Sequence, residues 1–225
     1  MKTFAVIPAG GKGIRSGFAA PKQYLKFNDK ELIIYTLEIF QKNNLIDEII
    51  ISASKQYFPL LKKLKKKFNL SKISQIVESG KERQDSVYNA LNTINAKKND
   101  LIIVHDAARP LLPQEVLTNA VDIAKKKGNA LVCIKAKDTL IKGEIFVKDY
   151  LDRDEIYYAQ TPQIFRYSDL MKAMKKAFDE NFLGTDESML IKKIGKKIYI
   201  VEGSPLNFKI TSKEDVEMLK KMLSF

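Results

Sequence analysis

Short runs that are apolar at every position alternate along the chain with longer stretches whose apolar residues recur at helical spacing. Ile49-Ile50-Ile51 and Leu101-Ile102-Ile103-Val104 are two such runs. A strand that is apolar on both sides must be covered on both faces of its sheet, which is typical of parallel sheets. The alternation therefore predicts an α/β fold with a doubly wound, mostly parallel sheet, whose ligands bind at the carboxyl ends of the strands.

The predicted elements span most of the chain, which we interpret as one domain over residues 1–225. Strands are predicted at residues 3–8, 48–53, 74–78, 100–105, 129–135 and 197–202. Helices are predicted at residues 31–42, 56–68, 82–95, 113–127, 167–178, 186–194 and 212–223. The helix ends carry the expected signals: Pro113 at a first helical position, Ser212 with Asp215 as a cap, and Gly128 and Gly195 at C-termini.

The chain is strongly basic, with 39 Lys and Arg residues against 27 Asp and Glu residues and a formal net charge of +12. This excess indicates either nucleic-acid binding or an anionic small-molecule substrate. The densest basic cluster, residues 62–67, is interleaved with Leu61, Leu64 and Phe68 at helical spacing, which is typical of a solvated helix face. No helix-turn-helix, zinc-finger or RNA-binding motif accompanies it, so we expect no nucleic-acid partner.

Cysteine usage and the start of the chain bear on its compartment. The single cysteine, Cys133, cannot form an internal disulfide and lies in an apolar run, so we expect a buried thiol in a reducing environment. Met1-Lys2-Thr3 leads directly into a predicted strand without a signal peptide, and no run has the length of a membrane-spanning helix. We therefore expect a cytoplasmic protein with no membrane contact.

A glycine-rich turn follows the first predicted strand and reads Pro8-Ala9-Gly10-Gly11-Lys12-Gly13. It matches neither a P-loop nor a complete dinucleotide-binding fingerprint. Glycines allow main-chain N–H groups to approach phosphate oxygens, and Arg15 and Lys22 follow closely with positive charge. The alternative is an ordinary tight turn, but the nearby cations favour a phosphate-binding site.

Two further polar segments follow predicted strands. In His105-Asp106-Ala107-Ala108-Arg109-Pro110, the carboxylate of Asp106 could either bind Mg²⁺ or cap a turn. His105 is the only histidine, and a lone histidine here is more typical of a buried hydrogen-bonding residue than of a base. The other segment, from Ser79-Gly80 to Ser86, could hold a base or ribose at a helix N-terminus, or could serve only as a helix cap.

Residues 136–158 interrupt the alternation and predict short β stretches joined by a turn at Lys142-Gly143-Glu144. The apolar piece Ile145-Phe146-Val147 has no evident core to enter. We interpret the segment as a projecting hairpin that finds a partner, with a hairpin folded back on its own domain as the alternative.

Taken together and in order, the motifs resemble those of the 2-C-methyl-D-erythritol 4-phosphate cytidylyltransferase family. They are Pro-Ala-Gly-Gly-x-Gly-x-Arg, Pro-Lys-Gln, Val-His-Asp-Ala-Ala-Arg-Pro, Lys-Asp-Thr, Gln-Thr-Pro-Gln, Gly-Thr-Asp and Phe-Lys-Ile-Thr. The resemblance implies a Rossmann-like nucleotidyltransferase that joins CTP to methylerythritol phosphate with Mg²⁺ and releases pyrophosphate. It also implies a homodimer formed through the arm at residues 136–158.

The resemblance also implies roles for individual residues. The catalytic residues are Arg15 and Lys22, which stabilise the transition state, and Arg153 and Lys209, which orient the acceptor. The CTP-binding residues are Pro8, Ala9, Gly10, Gly11, Lys12, Gly13, Gly80, Ser86 and Asp106, and Asp106 is also the expected metal ligand. The sugar phosphate is bound by Ala107, Arg109, Thr139, Arg153, Thr185 and Lys209, with Thr139 and Arg153 serving the neighbouring subunit's site.

Some positions depart from the family pattern. Gly10 stands where the family usually has alanine, Ser16 where methionine is common, and Lys81 where an acidic residue is usual, so no contact is carried over to Lys81. The Ala-Gly-Gly loop also resembles ribitol 5-phosphate cytidylyltransferases, although Lys137-Asp138-Thr139 favours the methylerythritol branch. A non-catalytic basic binding module on the same fold is a further alternative, and it predicts salt-sensitive nucleic-acid binding.

Overall fold

The structure is a computed structural model that describes residues 1–11 and 20–223. Its strands are β1 (Thr3–Pro8), β2 (Lys26–Phe27), β3 (Lys30–Glu31), β4 (Glu48–Ala53), β5 (Ile73–Glu78), β6 (Leu101–Val104), β7 (Asn129–Lys135), β8 (Leu140–Gly143), β9 (Val147–Leu151), β10 (Tyr157–Arg166) and β11 (Ile200–Glu202). Its α-helices are α1 (Leu32–Lys42), α2 (Phe58–Lys67), α3 (Arg83–Leu91), α4 (Gln114–Lys127), α5 (Tyr167–Asp179), α6 (Glu187–Lys193) and α7 (Lys213–Leu223). Two short 3-10 helices occupy Lys22–Tyr24 and Lys55–Tyr57.

Seven strands form the central sheet in the order β11-β7-β10-β6-β1-β4-β5. Strands β6, β1, β4 and β5 are parallel neighbours, and β11 is parallel to β7. Strand β10 runs antiparallel to both β6 and β7. The predicted doubly wound, mostly parallel sheet is therefore confirmed, with one reversed strand inserted near its middle.

Both faces of the sheet are covered, as the apolar strands require. Successive residues of β1 point to opposite sides, so Ala5 and Ile7 pack with α1, α2 and α4 while Phe4 and Val6 pack with α3, α5 and α6. A smaller cluster places α7 against Phe27 and Leu32. The helices bury their apolar stripes against the sheet, as α2 does with Leu61 and Leu64 inward and Lys62 exposed.

The predicted helices are confirmed to within a few residues at their ends. Gly128 closes α4 in the left-handed conformation, with φ +91°, and donates its N–H to the carbonyl of Ala124. Ser212 and Asp215 cap the start of α7 through reciprocal hydrogen bonds. The placement of Pro113 at the first helical position is wrong by one residue, because Pro113 is extended and α4 begins at Gln114.

Strand β10 was not among the sequence predictions. Its central part is buried yet polar: Gln160, Thr161 and Gln163 are each almost inaccessible, and Pro162 interrupts the run. These residues hide the alternation that identifies a strand, and a register shift between Ala159 and Gln163 disturbs it further. The last predicted strand, residues 197–202, is shorter than expected, since β11 covers only Ile200–Glu202.

Strands β8 and β9 pair with each other as an antiparallel hairpin outside the central sheet. Every residue of β9 is exposed, and at the tip Ile145 is 98% and Phe146 70% exposed. The hairpin thus projects from the domain, which agrees with the first of the two interpretations of this segment. That it binds a second copy of the chain stays a prediction.

Two smaller predictions can also be compared with the structure. Cys133 is a buried, free thiol in β7, and burial raises its pKa to about 11, so it is not a reactive nucleophile. None of the helices in the described ranges combines the length and apolar character needed to cross a bilayer.

Candidate active site

A cleft of about 1070 Å³ opens at the carboxyl ends of β1, β4, β5 and β6. This is where ligands bind in open α/β sheets. Its walls come from the loops that follow these four strands, with a further contribution from the segment before α7. The lining residues are Pro8, Ala9, Gly10, Gly11, Pro21, Lys22, Gln23, Ser54, Gln56, Tyr57, Ser79, Gly80, Lys81, Glu82, Arg83, Ser86, Asp106, Ala107, Ala108, Lys209 and Thr211.

The glycine loop lies at one end of this cleft. Ala9 continues the pairing of β1 with β4 by donating its N–H to the carbonyl of Ser52 at 2.7 Å. At Gly10 a Cβ atom would lie only 2.3 Å from the Cβ of Ser79, so this position has no room for a side chain unless Ser79 moves. The remaining expected phosphate contacts, Lys12, Gly13 and Arg15, lie outside the described residues.

Lys22 is held beside the loop by the two residues that follow it in the same 3-10 helix. The Gln23 amide donates to the carbonyl oxygens of Ala9 at 2.7 Å and Gly11 at 2.8 Å. Tyr24 donates its hydroxyl to Ala9 at 3.3 Å and stacks on Tyr57 with ring centroids 4.0 Å apart. Burial raises the pKa of Tyr24, so its hydroxyl stays protonated. The Pro-Lys-Gln motif therefore anchors a cation to the end of β1.

The wall next to the glycine loop is the turn between β5 and α3. Glu82 and Asp85 form a reciprocal capping box at the start of α3. Gly80 donates its N–H to the hydroxyl of Ser86 at 3.0 Å, and a Cβ at Gly80 would lie 2.1 Å from the Cβ of Asp85. Gly80 and Ser86, both expected to be near the cytidine, thus line the cleft side by side.

Asp106 lies among three cations at the end of β6. Its Oδ1 is 3.1 Å from Nε of Arg83, and its Oδ2 is 2.9 Å from Nζ of Lys209 and 3.5 Å from Nε of Arg109. These cations, Arg83 first, hold the pKa of Asp106 far below its usual range despite its burial. The site therefore brings together Asp106, Arg109 and Lys209, which sequence reasoning named, with Arg83, which it did not.

Arg83 also contacts a second buried carboxylate, that of Glu187 at the start of α6. Its Nη1 lies 2.7 and 2.8 Å from the two oxygens of Glu187, which is 1% exposed. Burial raises the pKa of Glu187 and the guanidinium opposes that rise. Sequence reasoning noted the stretches around both residues but assigned neither a role. Charged residues are rarely buried unless they are paired. Because 104 positions separate Arg83 from Glu187, no local sequence pattern reveals that they pair.

The expected Mg²⁺ site can be tested against these contacts. Mg²⁺ prefers a small number of carboxylate oxygens together with water and substrate phosphates. Both oxygens of Asp106 already face cations, and within residues 1–11 and 20–223 no three His, Cys, Asp or Glu side chains are grouped to hold a metal ion. The described residues alone do not fit a protein-held Mg²⁺, and Asp106 could serve as a ligand only by releasing a cation.

His105 is fully buried behind Asp106. Its Nδ1 is 3.1 Å from the hydroxyl of Thr161, and its Nε2 is 3.2 Å from the carbonyl oxygen of Arg109. Burial lowers its pKa to about 4, so the imidazole is neutral at physiological pH. These contacts agree with the interpretation of His105 as a buried hydrogen-bonding residue.

Four expected acceptor-binding residues do not line the cleft of the single chain: Arg109, which contacts Asp106 from behind the lining, and Thr139, Arg153 and Thr185. Thr139 and Arg153 are both exposed near the base of the hairpin, where Arg153 donates from Nη1 to the carbonyl of Lys137 at 3.2 Å. Thr185 is exposed just before α6, and its hydroxyl lies 3.0 Å from the sulfur of Met189. The structure thus leaves the three exposed residues apart from Asp106, Arg109 and Lys209.

The sequence matches the model of the 2-C-methyl-D-erythritol 4-phosphate cytidylyltransferase family over residues 3–224. The chain is 36% identical over 221 residues to a protein of that name from Clostridioides difficile strain 630, covering 97% of this chain and 92% of the relative. It is also 36% identical to a protein of the same name from Geotalea uraniireducens strain Rf4, covering 99% and 97%.

Solved structures agree with this match. The enzyme of this name from Francisella tularensis is 32% identical and superposes with a TM-score of 0.83, covering 98% of this chain and 99% of that one. A 4-diphosphocytidyl-2C-methyl-D-erythritol synthase from Anaerococcus prevotii superposes with a TM-score of 0.87 at 24% identity, which supports the fold alone. The chain therefore belongs to the 2-C-methyl-D-erythritol 4-phosphate cytidylyltransferase family.

Proposed function

We propose that the chain transfers CMP from CTP to 2-C-methyl-D-erythritol 4-phosphate, releasing pyrophosphate and forming 4-CDP-2-C-methyl-D-erythritol for isoprenoid precursor synthesis. The family match over residues 3–224 is the observation that carries this proposal. The cleft supports it, because a glycine loop and two lysines from distant segments, Lys22 and Lys209, face one space. The ribitol phosphate alternative is not favoured, since the family model and the relatives bear the methylerythritol name.

The reaction is an in-line displacement at phosphorus. An oxygen of the acceptor phosphate forms a bond to the α-phosphorus of CTP, and the bond from that phosphorus to the bridging oxygen breaks. Pyrophosphate leaves with the electron pair. A phosphate monoester has its second pKa near ~6 and is largely dianionic at neutral pH, so no general base is required. The burial and low pKa of His105, the only histidine, are consistent with chemistry that uses no histidine base.

Catalysis then depends on positioning two anions and neutralising the charge that accumulates between them. Lys22, with Arg15, is assigned to the α-phosphate. The segment from Pro8 to Gly13 holds the triphosphate, with Gly80 and Ser86 against the cytidine. Asp106 is assigned to the ribose, and Ala107, Arg109 and Lys209 to the acceptor phosphate. The hydrogen bonds of Gln23 support this assignment, because they hold the main chain at Lys22 beside the glycine loop and so place its side chain at this end of the cleft.

The acceptor half of the site is completed by a second subunit in this proposal. Thr139, Arg153 and Thr185 are exposed and outside the cleft of one chain. The apolar tip at Ile145 and Phe146 provides a surface for a twofold partner, which would bring Thr139 and Arg153 to the neighbouring site. We propose a homodimer formed through this arm, and a cytoplasmic location.

Mg²⁺ belongs to the proposal as a companion of CTP. Because the cations around Asp106 leave no protein-held metal site in the described residues, we assign the ion to the phosphate oxygens of the nucleotide. Mg²⁺ should therefore bind to the protein only when CTP is present, and activity should depend on the ion because the nucleotide carries it. Binding of Mg²⁺ alone, followed by isothermal titration calorimetry, should be undetectable at concentrations that support full turnover.

The decisive experiment measures pyrophosphate release while each nucleoside triphosphate is paired with methylerythritol phosphate and with ribitol 5-phosphate. CTP with methylerythritol phosphate should be the productive pair. Faster release with ribitol phosphate would reverse the choice of acceptor. No release with any pair, together with salt-sensitive nucleic-acid binding, would support the non-catalytic binding module instead.

A further inference from the structure

Four side chains of alternating charge form a row that runs from the start of α6 into the cleft. They are Glu187, Arg83, Asp106 and Lys209. Both oxygens of Glu187 contact Nη1 of Arg83 at 2.7 and 2.8 Å. Nε of Arg83 contacts Oδ1 of Asp106 at 3.1 Å, and Oδ2 of Asp106 contacts Nζ of Lys209 at 2.9 Å. Glu187 and Asp106 are buried, whereas the side chains of Arg83 and Lys209 are 29% and 37% exposed where they meet the cleft.

Glu187 is the member of this row that the reaction does not account for. It is buried and does not line the cleft, so it has no direct access to substrate. Burying a carboxylate is costly unless it is paired, and Glu187 is paired end-on with Arg83. Its position is well fixed, because Gln163 accepts from the N–H of Ser188 and donates to Asp186 on either side.

The geometry explains what this pairing does for Asp106. An arginine presents several N–H groups in a planar fork and prefers to take both oxygens of one carboxylate. Glu187 occupies Nη1, so Arg83 offers Nε to Oδ1 of Asp106. The other oxygen, Oδ2, is then available to Lys209. Without the charge at Glu187, the guanidinium is free to turn onto both oxygens of Asp106 and displace Lys209.

We propose that Glu187 is a positioning residue for Lys209, acting through Arg83 and Asp106. The inference rests on the proposed function only in that Lys209 is taken to bind the acceptor phosphate. The placement of Lys209 by a buried carboxylate that is separated from it by two residues of the row is a statement about the fold, and it can be tested without turnover.

The first test is kinetic. Glu187→Gln keeps the size of the side chain and removes its charge. We expect kcat/KM for methylerythritol phosphate to fall about tenfold while KM for CTP changes less than about twofold, because Lys209 is on the acceptor side. Glu180→Gln is the matched control, since Glu180 pairs with Lys193 at 2.8 Å on the surface. An equal loss toward both substrates would overturn the proposal.

Coupling to Lys209 separates positioning from general support of the fold. In a Lys209→Met background, Glu187→Gln should lower the residual kcat/KM by less than about twofold, because its target is gone. A purely structural role would cost the same factor in both backgrounds, and that outcome would overturn the proposal.

The second test measures Lys209 itself, by the rate at which an amine-reactive acylating reagent labels it in the substrate-free protein. Loss of its pairing with Asp106 should accelerate labelling about two- to fivefold, the factor expected for one partly exposed ion pair. The exposed Lys62 provides the reference rate. Arg83→Lys is the second variant. A lysine has no planar fork to cover both oxygens of Asp106, so Lys209 should keep its pairing and its labelling should not accelerate, and accelerated labelling would overturn the proposal.

Unchanged labelling in a folded Glu187→Gln variant would overturn the inference whatever the enzyme's activity. If the wild-type protein instead releases no pyrophosphate but labelling accelerates as expected, the proposed function fails and the positioning row stands.

Discussion

Gln23 donates a 2.7 Å hydrogen bond from its side-chain amide to the carbonyl oxygen of Ala9. The same nitrogen donates to Gly11 at 2.8 Å, so both of its hydrogens are used on the glycine loop. Lys22 precedes Gln23 directly and therefore has a fixed place relative to the end of β1. The cation and the main chain that are assigned to the triphosphate behave as one unit.

Replacing Gln23 with Met tests this unit. The apolar side chain removes the Gln23 donor from the carbonyls of Ala9 and Gly11 and leaves Ala9 with only the longer bond from Tyr24, so we expect the free energy of unfolding to fall by about 1–3 kcal/mol. We also expect a higher KM for CTP. Urea denaturation and initial-rate kinetics measure the two effects. Gln75→Met is the control. It removes a solvent-accessible hydrogen bond from the Gln75 side-chain amide to the carbonyl of Thr93, and the free energy of unfolding should fall by less than about 0.5 kcal/mol.

Lys22→Ala should lower turnover by about 10²–10³-fold, because it removes a positive charge from the place where negative charge accumulates. Its circular dichroism and melting temperature should remain close to those of the wild type. Lys62→Ala, on the exposed face of α2, is the control and should leave pyrophosphate release unchanged. Unchanged turnover in Lys22→Ala would remove the residue from the catalytic assignment.

Gly10→Ala should be destabilising because its methyl group would lie 2.3 Å from the Cβ of Ser79. Crowding of this kind costs about 1–3 kcal/mol, measured as the loss in the free energy of unfolding. Adding Ser79→Gly should recover most of that loss. Gly11→Ala is the matched stability control, since nothing lies within 4 Å of the added atom. Failure of Ser79→Gly to recover stability would show that Ser79 is not the obstacle.

Acid should destabilise the fold through His105. Its folded pKa is about 4, below the ~6.5 of an unfolded chain, so between these values the unfolded state binds a proton that the folded state does not. The free energy of unfolding should therefore fall as pH decreases from 6.5 to 4, by about 3 kcal/mol in total. Asp106, whose pKa is depressed, adds a further loss below pH ~4.

The measurement is urea denaturation at a series of pH values for the wild type and for His105→Gln. The variant should lose the slope between pH 6.5 and 4, whatever its stability at neutral pH. An identical slope in both proteins would mean that His105 titrates at its ordinary pKa in the fold.

Removal of residues 140–150 should convert a dimer into a monomer and abolish most activity, because the deletion separates Thr139 and Arg153 from the partner's site. Sedimentation velocity and pyrophosphate release measure the two outcomes. Phe146→Ser with Tyr150→Ser is a milder version that leaves the backbone intact. Ile200→Ser, at an exposed position of the edge strand β11, is the control. A fully active monomer would contradict the shared site.

The parts of the fold that could be predicted are those whose burial is visible in local composition. Strand β6 is apolar at each of its four positions, and a strand of that kind is stable mainly in the middle of a sheet that is covered on both faces. Strand β10 is equally buried at Gln160, Thr161 and Gln163, but it satisfies these groups with partners from distant segments. Those partners lie far along the chain, so no local sequence pattern indicates that these polar residues are buried in a strand.

The same distinction applies to the site. Lys22, Gly80, Ser86 and Asp106 follow predicted strands, and the rule that ligands bind at strand ends brings them to one cleft. Arg83 and Glu187 meet only because α3 and α6 lie on the same face of the sheet. Their pairing depends on tertiary packing. The roles of Thr139 and Arg153 are harder still to predict, because both side chains are exposed to solvent in the single chain.

Strand β10 starts a few residues beyond the hairpin and lies between β7 and β6 in the central sheet. Halfway along it, the hydroxyl of Thr161 accepts from the N–H of Asp106 at 3.1 Å and touches His105. One strand thus leads from the base of the hairpin to a residue that is hydrogen-bonded to the backbone of Asp106. The projecting arm and the support of the most crowded charges therefore share a single element of the sheet.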